Sequence, residues 1–172
     1  MAFKKRTKQP TDDELRELAP HIYYEALMLD GAVSEFYRLN VGGIETLPRS
    51  DRRRIARTTF LEAILLHARI LDDFLRYGRI DGKDDDVFAA HYIPAWTPAS
   101  PLDGLATTNG VSVRSAMNKH LAHLTTDRLT PTKYNLPSIA QPVLAALAIF
   151  ARDQTNTQYQ QFDELRELLK NH

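Results

Sequence analysis

The stretch Phe60-Leu61-Glu62-Ala63-Ile64-Leu65-Leu66-His67-Ala68-Arg69-Ile70-Leu71-Asp72-Asp73-Phe74-Leu75 decides the fold class. Its apolar positions 60, 64, 71 and 74, with 61, 65, 68 and 75, step by three, four and seven residues and so share one broad face of an α-helix. Ser50-Asp51 supplies the N-cap and Gly78 the stop, so the helix should span Asp51 to about Tyr77, roughly 40 Å at about 1.5 Å per residue. No strand-period run longer than four residues competes with it anywhere in the chain.

The same period recurs on both sides. Thr11-Asp12-Asp13-Glu14 is a capping-box start, and Ile22, Ala26, Leu29, Val33, Phe36 and Leu39 form one stripe up to the stop at Asn40, Gly42 and Gly43. Pro20 either kinks this helix or opens a second one, and Gly31 weakens it without ending it. Arg79 to Gly110 is rich in turn formers, and within it only Asp85 to Tyr92 reads as helical. Ser112 caps a helix from Val113 to about Asp127, and Pro131 and Pro137 bracket the next loop. Ser138 to Lys170 reads as two helices or one bent one, with Pro142 in its first turn. The expected fold is an all-α bundle of four to six helices, with a long loop between the second long helix and the histidine-bearing one. Residues 1–10 form a basic arm and 11–172 a single domain. Asp-Glu-Leu-Arg-Glu-Leu occurs at 13–18 and 163–168, but nothing around the copies matches, so it marks no repeat.

Composition narrows the function classes. In 172 residues, 22 Lys+Arg balance 22 Asp+Glu, although Lys4, Lys5, Arg6 and Lys8 put +4 on the arm and leave −4 on the rest. A neutral domain lacks the global attraction of a basic one for nucleic acid, so local patches must carry that argument, and there is no DNA-binding signature. The absence of cysteine excludes disulfides, thiolate zinc sites, Fe–S clusters and thiol nucleophiles. The longest apolar run, Val143 to Ala151, is about half of what spans a bilayer, and no apolar signal core follows Met1, so no membrane partner and a cytoplasmic location are expected. Gly42-Gly43 lacks the lysine of a phosphate loop. Asp81 to Asp86 fails as a calcium loop because Lys83 occupies a ligand position and Tyr92 the twelfth.

Two chemistries remain. His67, on the apolar side of the long helix, with His120 and His123, one turn apart and straddling the edge of theirs, can supply three imidazoles to one divalent transition metal. In the competing reading His67 hydrogen-bonds a neighbouring helix, His123 faces solvent, and no cofactor is needed. The second chemistry is metal-free: Arg114 precedes His120 by the spacing of a guanidinium for phosphate charge and an imidazole for proton transfer. Spacing alone says little, since 15 arginines and 6 histidines give about 1.6 such pairs by chance. Three occur: Arg16 with His21, Arg114 with His120, and Arg166 with His172.

Leu65-Leu66-His67-Ala68-Arg69-Ile70-Leu71-Asp72-Asp73-Phe74, Asp84-Asp85-Asp86-Val87-Phe88-Ala89-Ala90-His91-Tyr92, and Asn118-Lys119-His120-Leu121-Ala122-His123-Leu124-Thr125-Thr126-Asp127-Arg128 set the third helix apart. Together they resemble a group of small, uncharacterised helical bacterial proteins and, more distantly, the HEPN superfamily. The resemblance covers about residues 55–130. It implies a bundle that forms a homodimer and engages RNA or a nucleotide, with Arg114 and His120 as the pair for metal-independent RNA cleavage in a defence or toxin–antitoxin setting. Ser115 departs from the larger polar residue the superfamily prefers after the arginine, and a rival register, Asn118 with His123, loses the guanidinium. A non-enzymatic interaction module is the third reading: Asn118, Lys119 and Arg128 are then solvated or bridge to Asp72 and Asp73. Arg49, Arg52, Arg53, Arg54 and Arg57 form a patch able to hold phosphates, or to face the acidic 81–86 segment. Trp96, between Pro94 and Pro98, is expected to plug the bundle end.

Overall fold

The computed structural model describes residues 9–40, 46–48, 50–77, 86–97, 100–122, 133–153, 155–156 and 159–172. Among the described residues six α-helices run in the order α1 (Asp12–Arg38), α2 (Arg52–Arg76), α3 (Ala89–Tyr92), α4 (Val113–Ala122), α5 (Leu136–Arg152) and α6 (Asp163–Leu168), with a 3₁₀ turn at Gln160–Phe162 leading into α6. No strand is present among the described residues, so the fold is all-α. No helix there is long and apolar enough to cross a membrane.

α1 starts where its capping box predicts: Thr11 Oγ1 accepts from the Glu14 amide at 3.3 Å, and Glu14 Oε2 accepts from the Thr11 amide at 2.8 Å. The helix then runs through Pro20 without a break. Pro20 is exposed, so the Arg16 carbonyl left without an amide partner can turn to water, while buried Ala19 and Ile22 hold both sides of the proline to the core. α1 and α2 lie antiparallel, because Glu25 meets His67 near their middles and Phe36 meets Arg57 at one end. α5 packs on both, α4 lies against α2, and α6 closes against α1 and α5. Phe150 of α5 is the hub of the core: Phe74, Tyr92, Trp96 and Phe162 all present ring edges to it at 5.1–5.9 Å. Trp96 takes the plug position, its indole N–H donating to the Leu75 carbonyl at 2.8 Å.

Several boundaries differ from those the sequence suggests. The helix expected over 85–92 is one turn, since residues 86–88 are not helical. α5 begins at Leu136 rather than Ser138, because Asn135 caps it by accepting from the Ser138 amide at 3.5 Å. That earlier start moves Pro142 out of the first turn and into the helix interior. α4 is described as far as Ala122, so the expected extension to Asp127 lies outside the described residues. Between α3 and α4 the chain turns back on itself at Asn109-Gly110. Thr107 donates to the Val111 carbonyl at 2.8 Å, and Gly110 takes φ 73°, which a side chain would oppose.

Candidate functional site

Arg114, in the first turn of α4, reaches α2 with both ends of its guanidinium: Nη1 donates to Asp72 Oδ2 and Nη2 to Asp73 Oδ1. The Asp72 carboxylate is fully buried, and its other oxygen accepts from Ser100 Oγ at 2.7 Å and from the Leu102 amide at 3.0 Å. Arg69 stands 3.8 Å from Asp73 Oδ2 as the expected i,i+4 neighbour. Among the described residues, Arg114 of α4 bridges to Asp72 and Asp73, a contact that one alternative reading of the sequence gave to Asn118, Lys119 and Arg128; Arg128 lies outside the described residues. A planar fork matches two carboxylates better than an ammonium or an amide does.

His120 sits six residues on, about 9 Å along the axis and some 120° around it from Arg114. It is half-buried, and its ring meets the edge of Tyr134 with centroids 6.0 Å apart. The helix thus points Arg114 at α2 and His120 at the segment that leads into α5. Asn118 lies between them in the sequence, half-buried, with Oδ1 enclosed and without a hydrogen-bond partner among the described residues. His123 lies outside the described residues. His67, the remaining candidate ligand, is buried with Nδ1 2.6 Å from Glu25 Oε2 and Tyr24 edge-on to its ring. Among the described residues no three histidine or acidic side chains are grouped as a metal site would need.

Tyr134 leads to a feature the sequence reading did not assemble. A cavity of about 530 Å³ opens between the end of α1, the start of α2 and residues 133–137. Phe36, Tyr37 and Tyr134 give it aromatic walls, while Arg57 and Lys133 give it cations. The Arg57 guanidinium lies over the Phe36 ring at 4.5 Å, a cation–π contact that orients it at the cavity. Arg54 is held by the Leu47 carbonyl at 2.7 Å, and Arg52 and Arg53 continue the exposed basic face beyond. Burial pushes the Tyr134 hydroxyl above its ordinary range, so at neutral pH it is an uncharged donor. Cations beside stacking faces suit a phosphate joined to a base.

The arginine patch signalled half of this site. The other half, Lys133-Tyr134-Asn135, carries no periodic signal and becomes significant only through its position against Tyr37 and Arg57. Compared with known family models, curated proteins and solved structures, the chain matches none.

Proposed function

We propose that the chain is a HEPN-like helical protein that engages RNA or a nucleotide at the bundle end bounded by Tyr37, Arg57, Lys133 and Tyr134. The observation that carries this reading is the joining, in one cavity, of two cations and three aromatic rings, with His120 against Tyr134 at its side. Phosphate charge meets Arg57 and Lys133, and a base stacks on a tyrosine. Cleavage, on this reading, uses His120: the imidazole takes the proton of a 2′-hydroxyl as its oxygen attacks phosphorus, and an imidazolium returns a proton to the departing 5′-oxygen. With Arg114 engaged by two carboxylates, stabilisation of the phosphate passes to Arg57 and Lys133.

Fluorescence anisotropy with labelled RNA and with a labelled nucleotide tests the binding. Lys133→Glu should weaken it about tenfold and flatten its dependence on salt. Absence of binding to either ligand, even at low salt, sinks the reading. RNA incubated in EDTA tests the chemistry: products that disappear in His120→Ala support cleavage, whereas RNA that is bound and left intact makes the protein a binding module.

A further inference from the structure

A second concave surface lies further along the α1–α2 pair, outside the basic cavity. It occupies about 370 Å³ between Leu18–Glu25 of α1, Ile70–Phe74 of α2 and the segment 86–88 before α3. Its floor is apolar, built chiefly from Ile22, Ile70 and Phe74, and its rim carries Glu25, Asp73 and Asp86 with His21 and, among the described residues, no lysine or arginine. Asp73 is balanced by Arg114 and Arg69, and Glu25 is oriented by His67, while Asp86 stands exposed at the far wall. With Asp72 and Asp73 offset by the two arginines, the carboxylates left to face the groove are Glu25, shared with His67, and the exposed Asp86. The apolar floor also continues onto the outer surface, where Tyr24 is 50%, Leu66 43% and Ile70 39% exposed. An apolar surface of this kind, next to unlike charge, marks a protein contact. Its sign repels phosphate, and Glu25 lies some 16 Å along α1 from Phe36 of the basic cavity at about 1.5 Å per residue, so the two sites are separate.

We infer that this groove docks a cationic peptide segment of a partner protein, with an aliphatic or aromatic side chain set among Ile22, Ile70 and Phe74 and flanking lysine or arginine against Glu25 and Asp86. Helix or extended-peptide recognition of this type takes affinity from the apolar anchor and selectivity from the charges around it.

The probe is a fluorescein-labelled octapeptide of alternating leucine and lysine, titrated with the full-length chain and followed by anisotropy. Saturable binding is expected, weakened about fivefold or more by Asp86→Lys, by Ile70→Ser and by about 0.5 M salt. Both substitutions fall on solvent-facing side chains, so the fold and the binding of RNA or nucleotide at the basic cavity should persist. Equal affinity for the octapeptide in wild type and both variants overturns the inference. So does equal affinity for a control octapeptide with glutamate in place of lysine. The chain's own Phe3, Lys4, Lys5, Arg6 and Lys8 offer the same chemistry. A full-length chain with those four cations replaced by serine that binds the octapeptide fivefold more tightly would name that segment as the occupant and overturn the assignment to a partner.

Discussion

Arg114 shows how a residue type with two uses is resolved by its neighbours. Next to a histidine in sequence it reads as a phosphate ligand; next to Asp72 and Asp73 in space it is a strut between α4 and α2, with a side chain only 16% exposed. Asp72 makes the strut consequential, because a fully buried carboxylate without its counter-charge is costly. Arg114→Ala should therefore destabilise the fold by about 3 kcal/mol or more, measured by urea denaturation. A variant that keeps its stability but loses RNA cleavage would return Arg114 to the reaction. Tyr92 gives a pH signature at the same scale. Its hydroxyl donates to the Leu15 carbonyl at 2.8 Å, and burial, with Tyr159 a lesser cause, raises its pKa well above the ordinary 10.0. The folded state thus favours the protonated phenol. That contribution is complete below the unfolded value, near pH 10, and is lost as pH rises from there toward the folded value. Urea midpoints should fall more steeply between about pH 10 and 11.5 in wild type than in Tyr92→Phe, which has no phenol to ionise.

At the scale of elements, the sequence period is followed wherever an apolar stripe and a cap agree, and α1 and α2 begin where Thr11 and Asp51 announce them. Legibility stops where a boundary depends on a partner distant in sequence. Asn135 and Pro137 start α5 ahead of its clearest apolar stripe, and residues 86–88 stay outside any helix, where buried Phe88 stacks on His91 and meets Tyr77. The site divides in the same way. His67 was readable as buried on its helix face, and Glu25 as its partner was not, because a 42-residue separation leaves no pattern. α1 is also a helix held by packing against its own propensities, since it keeps both Pro20 and Gly31 in its interior. A Cβ added at Gly31 meets nothing within 4 Å, so Gly31→Ala should stabilise by about 0.5–1 kcal/mol. Pro20→Ala restores an amide to the Arg16 carbonyl and should add about 1–2 kcal/mol, less than proline's full helix penalty because proline also restricts the unfolded chain. Higher thermal midpoints in both variants would support this account, and a lower one in Pro20→Ala would mean that the packing of α1 depends on a bend at that residue.

At the scale of the molecule, zero net charge conceals an uneven distribution. Arg52, Arg53, Arg54, Arg57 and Lys133 gather where α2 and α5 begin, while Asp12, Asp13, Glu14 and Glu17 open α1 at the other end of the antiparallel pair. A phosphate-bearing ligand and a cationic segment would therefore be drawn to different places on one chain. Whether they act on one body depends on the cooperativity of the bundle, and Trp96 reports on it. The indole is fixed by the Leu75 carbonyl at the end of α2 and by Phe150 at the centre of the core, so its environment changes only when α2 and α5 separate. Far-UV circular dichroism instead samples every helix. If residues 11–172 fold as one unit, the two signals must follow the same urea transition, with one midpoint and one slope. Ellipticity that persists after the tryptophan signal has moved would divide the chain into an α2–α5 core and separately stable outer helices, and both proposed surfaces, which are built on α1 and α2 together, would then fail with the tryptophan signal.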